Sequence, residues 1–151
     1  MDRLIDAVID TDMEQLINLM SQVQITNTVE EEQIVAVQQN FRAIAQIKNP
    51  SLKVQLAAVQ TDYYAIKYIE NPSLEVQLTA VRASPFAIKN IKNPSLEVQL
   101  TAVQENPLAI KDIENPALKV QLTAVQKKGS VIEYIKNPSL EVQLTAVRID
   151  S

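Results

Sequence analysis

The chain has no cysteine and no histidine among its 151 residues. The first absence excludes a disulfide framework, a thiol nucleophile and a thiolate metal site. The second removes the usual general base and the commonest metal ligand. Glycine is reduced to Gly129, so no glycine-rich phosphate loop exists, and helix ends must close without the usual left-handed glycine. No run of 18 apolar residues occurs, so no membrane span is expected. The N-terminus, MDRLIDAVIDTDMEQ, carries acids where a signal peptide needs a basic start and an apolar stretch. A soluble cytoplasmic protein with no cofactor and no metal is the resulting expectation. With no carboxylate pair outside the repeat logic, no catalytic residues are assigned and an enzyme is not expected.

What is present is a period. Asn-Pro recurs at Asn49-Pro50, Asn71-Pro72, Asn93-Pro94, Asn115-Pro116 and Asn137-Pro138, always 22 residues apart. The string NPSLEVQLTAV stands verbatim at 71–81, 93–103 and 137–147, with near copies at 49–59 and 115–125. A degenerate copy fills 27–48 in the same register. A fixed period of this size marks a repeat array. The domain reading is an N-terminal helical cap over 1–26, then an array over 27–151 with units starting at 27, 49, 71, 93 and 115 and a truncated one at 137.

In 71–92, Asn71 is read as an N-cap and Pro72 as the first helical residue. Leu74, Leu78 and Val81 follow at helical spacing, with Val76 and Ala80 adjoining. Ser84-Pro85 repeats the cap signal, and Ala87, Ile88 and Ile91 mark one face of a shorter second helix. Asn40, Asp62 and Asn106 are the corresponding caps elsewhere. Lys127-Lys128-Gly129-Ser130 breaks the pattern and predicts a looser second helix there. Helices of about ten and seven residues are marginal alone, and stacking buries each unit on its neighbours. The fold class is therefore all-α, an α-solenoid of helix–turn–helix repeats. Because Asn tolerates the left-handed conformation best after glycine, the Asn-Pro asparagines are candidates for both cap and corner. In the cap region, Leu4, Ile5, Val8 and Ile9, then Met13, Leu16, Ile17, Leu19 and Met20, predict two helices broken at Asp10-Thr11-Asp12.

The pattern NPSxxVQLxAV followed by AIKxI resembles short tandem α-helical repeats of bacteria, tailed phages and giant viruses. It is similar in architecture to leucine-rich repeat variant and HEAT-like solenoids, with a shorter period than a typical HEAT unit. The resemblance covers 27–151. It implies a non-enzymatic binding scaffold and brings no catalytic residues. Leucine-rich repeat variant proteins can carry an iron–sulfur module, which this chain has no cysteine to hold. For a phage or mobile element, such a scaffold implies occlusion of a host protein, a defence enzyme included, in the host cytoplasm. Three verbatim copies fit recent duplication and consensus design alike, so an idealised scaffold with no natural ligand stays open.

Comparing the repeats with one another separates constant from variable positions. Gln33, Gln55, Gln77, Gln99, Gln121 and Gln143 never change, and Gln77 falls inside the apolar arc. A glutamine there must be hydrogen-bonded, which predicts a structural ladder, with a ligand-reading polar groove as the alternative. Arg42, Tyr64, Phe86, Leu108 and Ser130 correspond and all differ. Four residues on, Gln46, Tyr68, Asn90, Asp112 and Tyr134 correspond and vary widely. Positions four apart share an α-helical face, so the two sets predict one ridge. Every tyrosine and phenylalanine lies in a second helix. Aromatics against a varied polar background are the composition of a protein-binding surface. Tyr64, Tyr68, Phe86, Asn90, Leu108, Asp112 and Tyr134 are the candidate partner-binding residues, with solvent-exposed drift as the bland alternative.

Lys67, Lys89 and Lys111 form a row flanked by Ala45 and Glu133, which offers nucleic-acid binding as a second reading. The net charge of -4 opposes it. That acidity is N-terminal: residues 1–48 hold eight acids and three bases, and residues 49–151 hold ten and eleven. Lys48, Glu70, Lys92, Glu114 and Lys136 alternate at the junctions and predict ion pairs between repeats. The last unit keeps Leu140, Leu144 and Val147 with no second helix after it. These predict self-association, most simply an isologous homodimer through the C-terminal faces.

Overall fold

A computed structural model describes the backbone of residues 2–150 and the side chains of residues 13–150. Among the described residues the chain alternates α-helices with short 3-10 helices. The α-helices are α1 (Asp2–Gln39), α2 (Leu52–Thr61), α3 (Leu74–Ala83), α4 (Leu96–Glu105), α5 (Leu118–Lys127) and α6 (Leu140–Ile149). The 3-10 helices are η1 (Phe41–Gln46), η2 (Tyr63–Tyr68), η3 (Pro85–Asn90), η4 (Pro107–Asp112) and η5 (Gly129–Tyr134). Each α-helix packs on the next, and each 3-10 helix on the next, so the molecule is an all-α helical-repeat solenoid with two rows of helices.

The asparagines divide the predicted roles differently from the sequence reading. Asn49, Asn71, Asn93, Asn115 and Asn137 all adopt φ near +50° and form the corners. They are not the caps. Ser51, Ser73, Ser95 and Ser139, two residues later, are extended and accept hydrogen bonds from Val54, Val76, Val98 and Val142 N–H. Proline thus precedes the helix instead of opening it. The left-handed corner takes the asparagine out of the extended conformation that a cap needs. Ala117 holds the equivalent position before α5 and offers no side-chain cap.

The second helices are 3-10, not α. Asn40, Asp62 and Asn106 cap them by accepting from the N–H two residues on, while Ser84 and Lys128 make no such bond. Six residues between a cap and an extended isoleucine leave room for little more than 3-10 turns. The helix at Gly129 is not looser than the rest. It forms over the same six residues, with Val131 buried in the core. Its glycine is a close-approach position: a Cβ there would stand 2.5 Å from the Ala146 carbonyl oxygen and 2.6 Å from Asp150 Cγ.

The core is one continuous seam. Val54, Ala58 and Val59, with their equivalents in the units starting at 71 and 93, are buried beside Ala65, Ile66 and Ile69 and theirs. The leucines that open the α-helices belong to it less than their spacing predicts. Leu52, Leu74, Leu96 and Leu118 remain 44–47% exposed. At the helix start, two turns before the fully buried Val59, Val81, Val103 and Val125, they are reached only at the edge.

The predicted break at Asp10-Thr11-Asp12 is absent: α1 runs unbroken from Asp2 to Gln39. Residues 1–39 contain neither proline nor glycine, and Asn27-Thr28 replaces the Asn-Pro corner, so nothing stops the helix. The side chains of Leu4, Ile5, Val8 and Ile9 lie outside the described residues. Residues 30–39 correspond to α2 at the 22-residue step and dock on it, with Val37 fully buried and Ile34 half-buried. Glu30 accepts from Ser51 Oγ at 2.6 Å and pairs with Lys53 at 3.4 Å. Where later units bury a valine, this unit has Glu32, exposed. Residues 13–29 project beyond α2, with 13–28 exposed throughout and Met13, Leu16, Ile17, Leu19 and Met20 uncovered. That stretch extends from the array and does not cap it.

Candidate functional site

The invariant glutamines fix the corners. Gln55, Gln77, Gln99, Gln121 and Gln143 each donate from Nε2 to the proline carbonyl five residues back, at 2.8–2.9 Å. Each bond closes an Asn-Pro turn onto its own helix. Gln33 lies outside this series, because residue 28 is threonine inside α1 and no turn presents a carbonyl to it. The Oε1 atoms of Gln55, Gln77 and Gln99 are buried without a hydrogen-bond partner, as is Asn90 Nδ2.

The variable residues do not form one ridge. A 3-10 helix turns about 120° per residue, so positions four apart diverge and positions three apart eclipse. The outer row, Arg42, Tyr64, Phe86, Leu108 and Ser130, therefore merges with the lysine row instead. Lys67 Nζ donates to Tyr64 Oη at 3.1 Å and stands 5.3 Å from the ring centroid. This hydrogen bond holds the Lys67 ammonium above the ordinary lysine range. Lys111 lies over Phe86 of the preceding unit at 5.1 Å. Lys67 and Lys111 act as partners of the rings, while Lys89 lines two inter-repeat clefts, which leaves less free charge for a phosphate than a bare row would.

The inner row lines clefts between neighbouring 3-10 helices. Tyr68 stands in two of them, Asn90 in one, Asp112 in two and Tyr134 in one. The clefts measure about 570 to 760 Å³. Their floors are the Asn-Pro turns and the glutamines, and Lys48, Glu70, Lys92, Glu114 and Lys136 line them. The predicted pairing of these junction charges is not found. Among the described residues the ion pair within 4 Å is Lys53–Glu30. One repeat step of about 8–10 Å holds successive junction charges too far apart. Tyr134 is 44% exposed, and its hydrogen bond with Glu133 raises the phenol above its ordinary range.

The two rows meet at one place, where the aromatic side chains span two units. Tyr64 and Tyr68 have ring centroids 6.1 Å apart, and Phe41 of the previous unit lies 6.5 Å from each. Two of the three contacts are edge-to-face, the geometry aromatic quadrupoles favour. Arg42 stands 5.5 Å from the Phe41 centroid. Phe41 was not among the predicted site residues. It aligns with Tyr63, Pro85, Pro107 and Gly129, positions that carry no common surface signal. Of the predicted residues, Tyr64 and Tyr68 come together. Phe86 joins through Lys111, Asn90 shares a cleft with Tyr68, and Asp112 and Tyr134 share another. Leu108 is half-buried against the core. Leu140, Leu144 and Val147 lie far along the chain on α6, at 70, 51 and 67% exposure.

Among the described residues no metal-binding cluster of acids occurs and no helix is long and apolar enough to cross a membrane. Comparison with known proteins gives no match: no family model, no curated protein and no solved structure aligns with the chain.

Proposed function

We propose that this solenoid is a non-enzymatic binding scaffold that takes a protein partner on its 3-10 face. The observation that carries the reading is the half-buried cluster of Phe41, Tyr64 and Tyr68, ringed by Arg42 and Lys67. It occupies positions where the repeats differ, while the core beneath repeats almost unchanged. Large rings already held by one another lose little freedom on binding, and interface hot spots favour tyrosine and arginine for that reason. The adjoining clefts, lined by Asn90, Asp112 and Tyr134, supply separate pockets for a partner's side chains. Lys67 and Lys111 engage rings, and Asp112 and Glu133 interrupt the positive row. Both features favour a protein over a nucleic acid.

The test compares wild type with a Tyr64→Ala/Tyr68→Ala/Phe86→Ala variant and with Glu75→Gln/Arg82→Ala, which changes the exposed α-helical face. Each serves as bait in extract of the source cell, and captured species are identified and then titrated as purified proteins. The expected result is a saturable protein partner held by wild type and the Glu75/Arg82 variant and lost by the aromatic variant, with helicity unchanged in all three. Equal affinity for wild type and the aromatic variant refutes the reading. Capture of nucleic acid, falling steeply with salt, transfers it to the lysine row.

A further inference from the structure

The face of α1 that docks on α2 does not end where α2 ends. Ile34 and Val37 pack into the array, and the same 3–4 spacing leads back through Glu30 and Asn27 to Val23, Met20, Leu16 and Met13. These last four are 53–70% exposed, as are Ile17 and Leu19 beside them. At about 100° per residue the six fall within one arc, and Asn18 lies opposite it. No other element of the array reaches this stretch, because α2 is aligned with residues 30–39.

The six positions have a second property. They are symmetric about residue 18: Met13 mirrors Val23, Leu16 mirrors Met20, and Ile17 mirrors Leu19. An antiparallel pair of identical helices needs this, because an isologous contact requires that if i meets j then j meets i. The charges point the same way. Residues 2–14 carry five acids and one base, and residues 15–29 carry no charge at all. A parallel pair would set acid against acid along residues 2–14. An antiparallel pair centred on residue 18 lays Asp10, Asp12 and Glu14 along the uncharged residues 22–26 of the second copy, with Asp6 level with Glu30. The hydroxyls of the uncharged stretch are already satisfied within the helix: Ser21, Thr26 and Thr28 donate to carbonyls of the preceding turn. They therefore pose no obstacle to close packing.

We infer that the projecting part of α1 is a self-association helix that pairs antiparallel with α1 of a second copy of this chain. Residues 7–29, the stretch that a pairing centred on residue 18 sets side by side, span about 34 Å. Laid along an identical helix, that length reaches the range of about 800 Å² per partner that stable complexes use. The pairing holds two arrays at opposite ends of a common helical rod, each with its 3-10 face unoccupied. It is independent of what that face binds, and its test reads assembly, not ligand.

The experiment is light scattering of the full chain across a concentration series, with Leu16→Glu/Met20→Glu and Leu140→Glu/Leu144→Glu beside wild type. Wild type and the Leu140/Leu144 variant are expected at twice the chain mass, and the Leu16/Met20 variant at the monomer mass. Circular dichroism of that variant keeps the melting transition of the array, since both substituted residues lie outside it. A monomeric wild type overturns the inference. A dimer lost only in the Leu140/Leu144 variant also overturns it and assigns assembly to the C-terminal face. Orientation follows from spin labels on single cysteines, which are unambiguous in a chain without native cysteine. Antiparallel pairing places Thr28→Cys labels roughly 30 Å apart along the axis and Asn18→Cys labels level with one another. Equal label distances at both sites would show parallel pairing and overturn the proposed geometry.

Discussion

Replacing Asn93 by alanine and by glycine isolates the conformational cost of a corner. Asn93 sits at φ +49°, joining η3 to α4, and four other asparagines hold the same angle. An L-residue with an ordinary side chain pays about 1–2 kcal/mol to enter this region, from which asparagine is partly exempt and glycine wholly so. Asn93→Ala is therefore expected to cost about 1 kcal/mol. Asn93→Gly should stay within about 0.5 kcal/mol of wild type, because freedom from strain is offset by the greater entropy glycine loses on folding. For a chain of this size about 1 kcal/mol moves the melting midpoint by about 2–4 °C. Chemical denaturation with matched m-values reads the difference directly, and a triple substitution at Asn71, Asn93 and Asn115 should multiply it. A repeat array can unfold in parts, so the comparison is made where far-ultraviolet dichroism and tyrosine fluorescence give coincident transitions. If alanine and glycine at 93 are equally stable, backbone strain is not the reason asparagine stands at the corners.

Other perturbations test the remaining contacts. Gln99→Leu removes the donor to the Pro94 carbonyl and should cost about 1 kcal/mol, whereas Glu97→Gln on the exposed face should leave the denaturation midpoint unchanged; identical midpoints would remove the ladder's structural role. Gly129→Ala pushes a methyl group into the Ala146 carbonyl and Asp150 and should cost about 1–3 kcal/mol as overpacking, read as early loss of amide protection in α6; unaltered protection there would show that α6 is not held by this approach. The hydrogen bond from Ser51, then the approach of Lys53, keep the Glu30 carboxyl below its ordinary range. A depressed carboxylate stabilises the fold above its unfolded-state value and loses that contribution as pH falls through its folded-state value. Wild type should therefore exceed Glu30→Gln in stability at neutral pH, with the gap closing on acidification. A gap that does not change with pH would refute the link.

Much of the architecture was legible because the repeat states it several times. Ala87, Ile88 and Ile91 marked the buried face of the second helix, and all three are buried. The 22-residue step placed every corner. The 3-10 character of the second helices was not legible, since Ala-Ile spacing over six residues fits either helix. That one difference divided the expected ridge into an outer row with the lysines and an inner row in the clefts. The cluster of Phe41 with Tyr64 and Tyr68 was equally hidden, because it joins side chains from different units at positions that do not correspond.

The sequence by itself determined the period, the class of fold and the corner residues, because these rest on local geometry. Backbone preference at Asn-Pro, helical spacing of apolar residues and the need to stack short helices all act within one unit or between adjacent ones. Only the tertiary structure decided which residues lie at the surface together and where the array stops. Glu32 standing where later units bury valine, Gly129 pressed against α6, and the apolar stripe of α1 carried past the end of α2 depend on what a neighbouring unit does or does not cover. Coverage is a property of packing between elements, and no single repeat contains it.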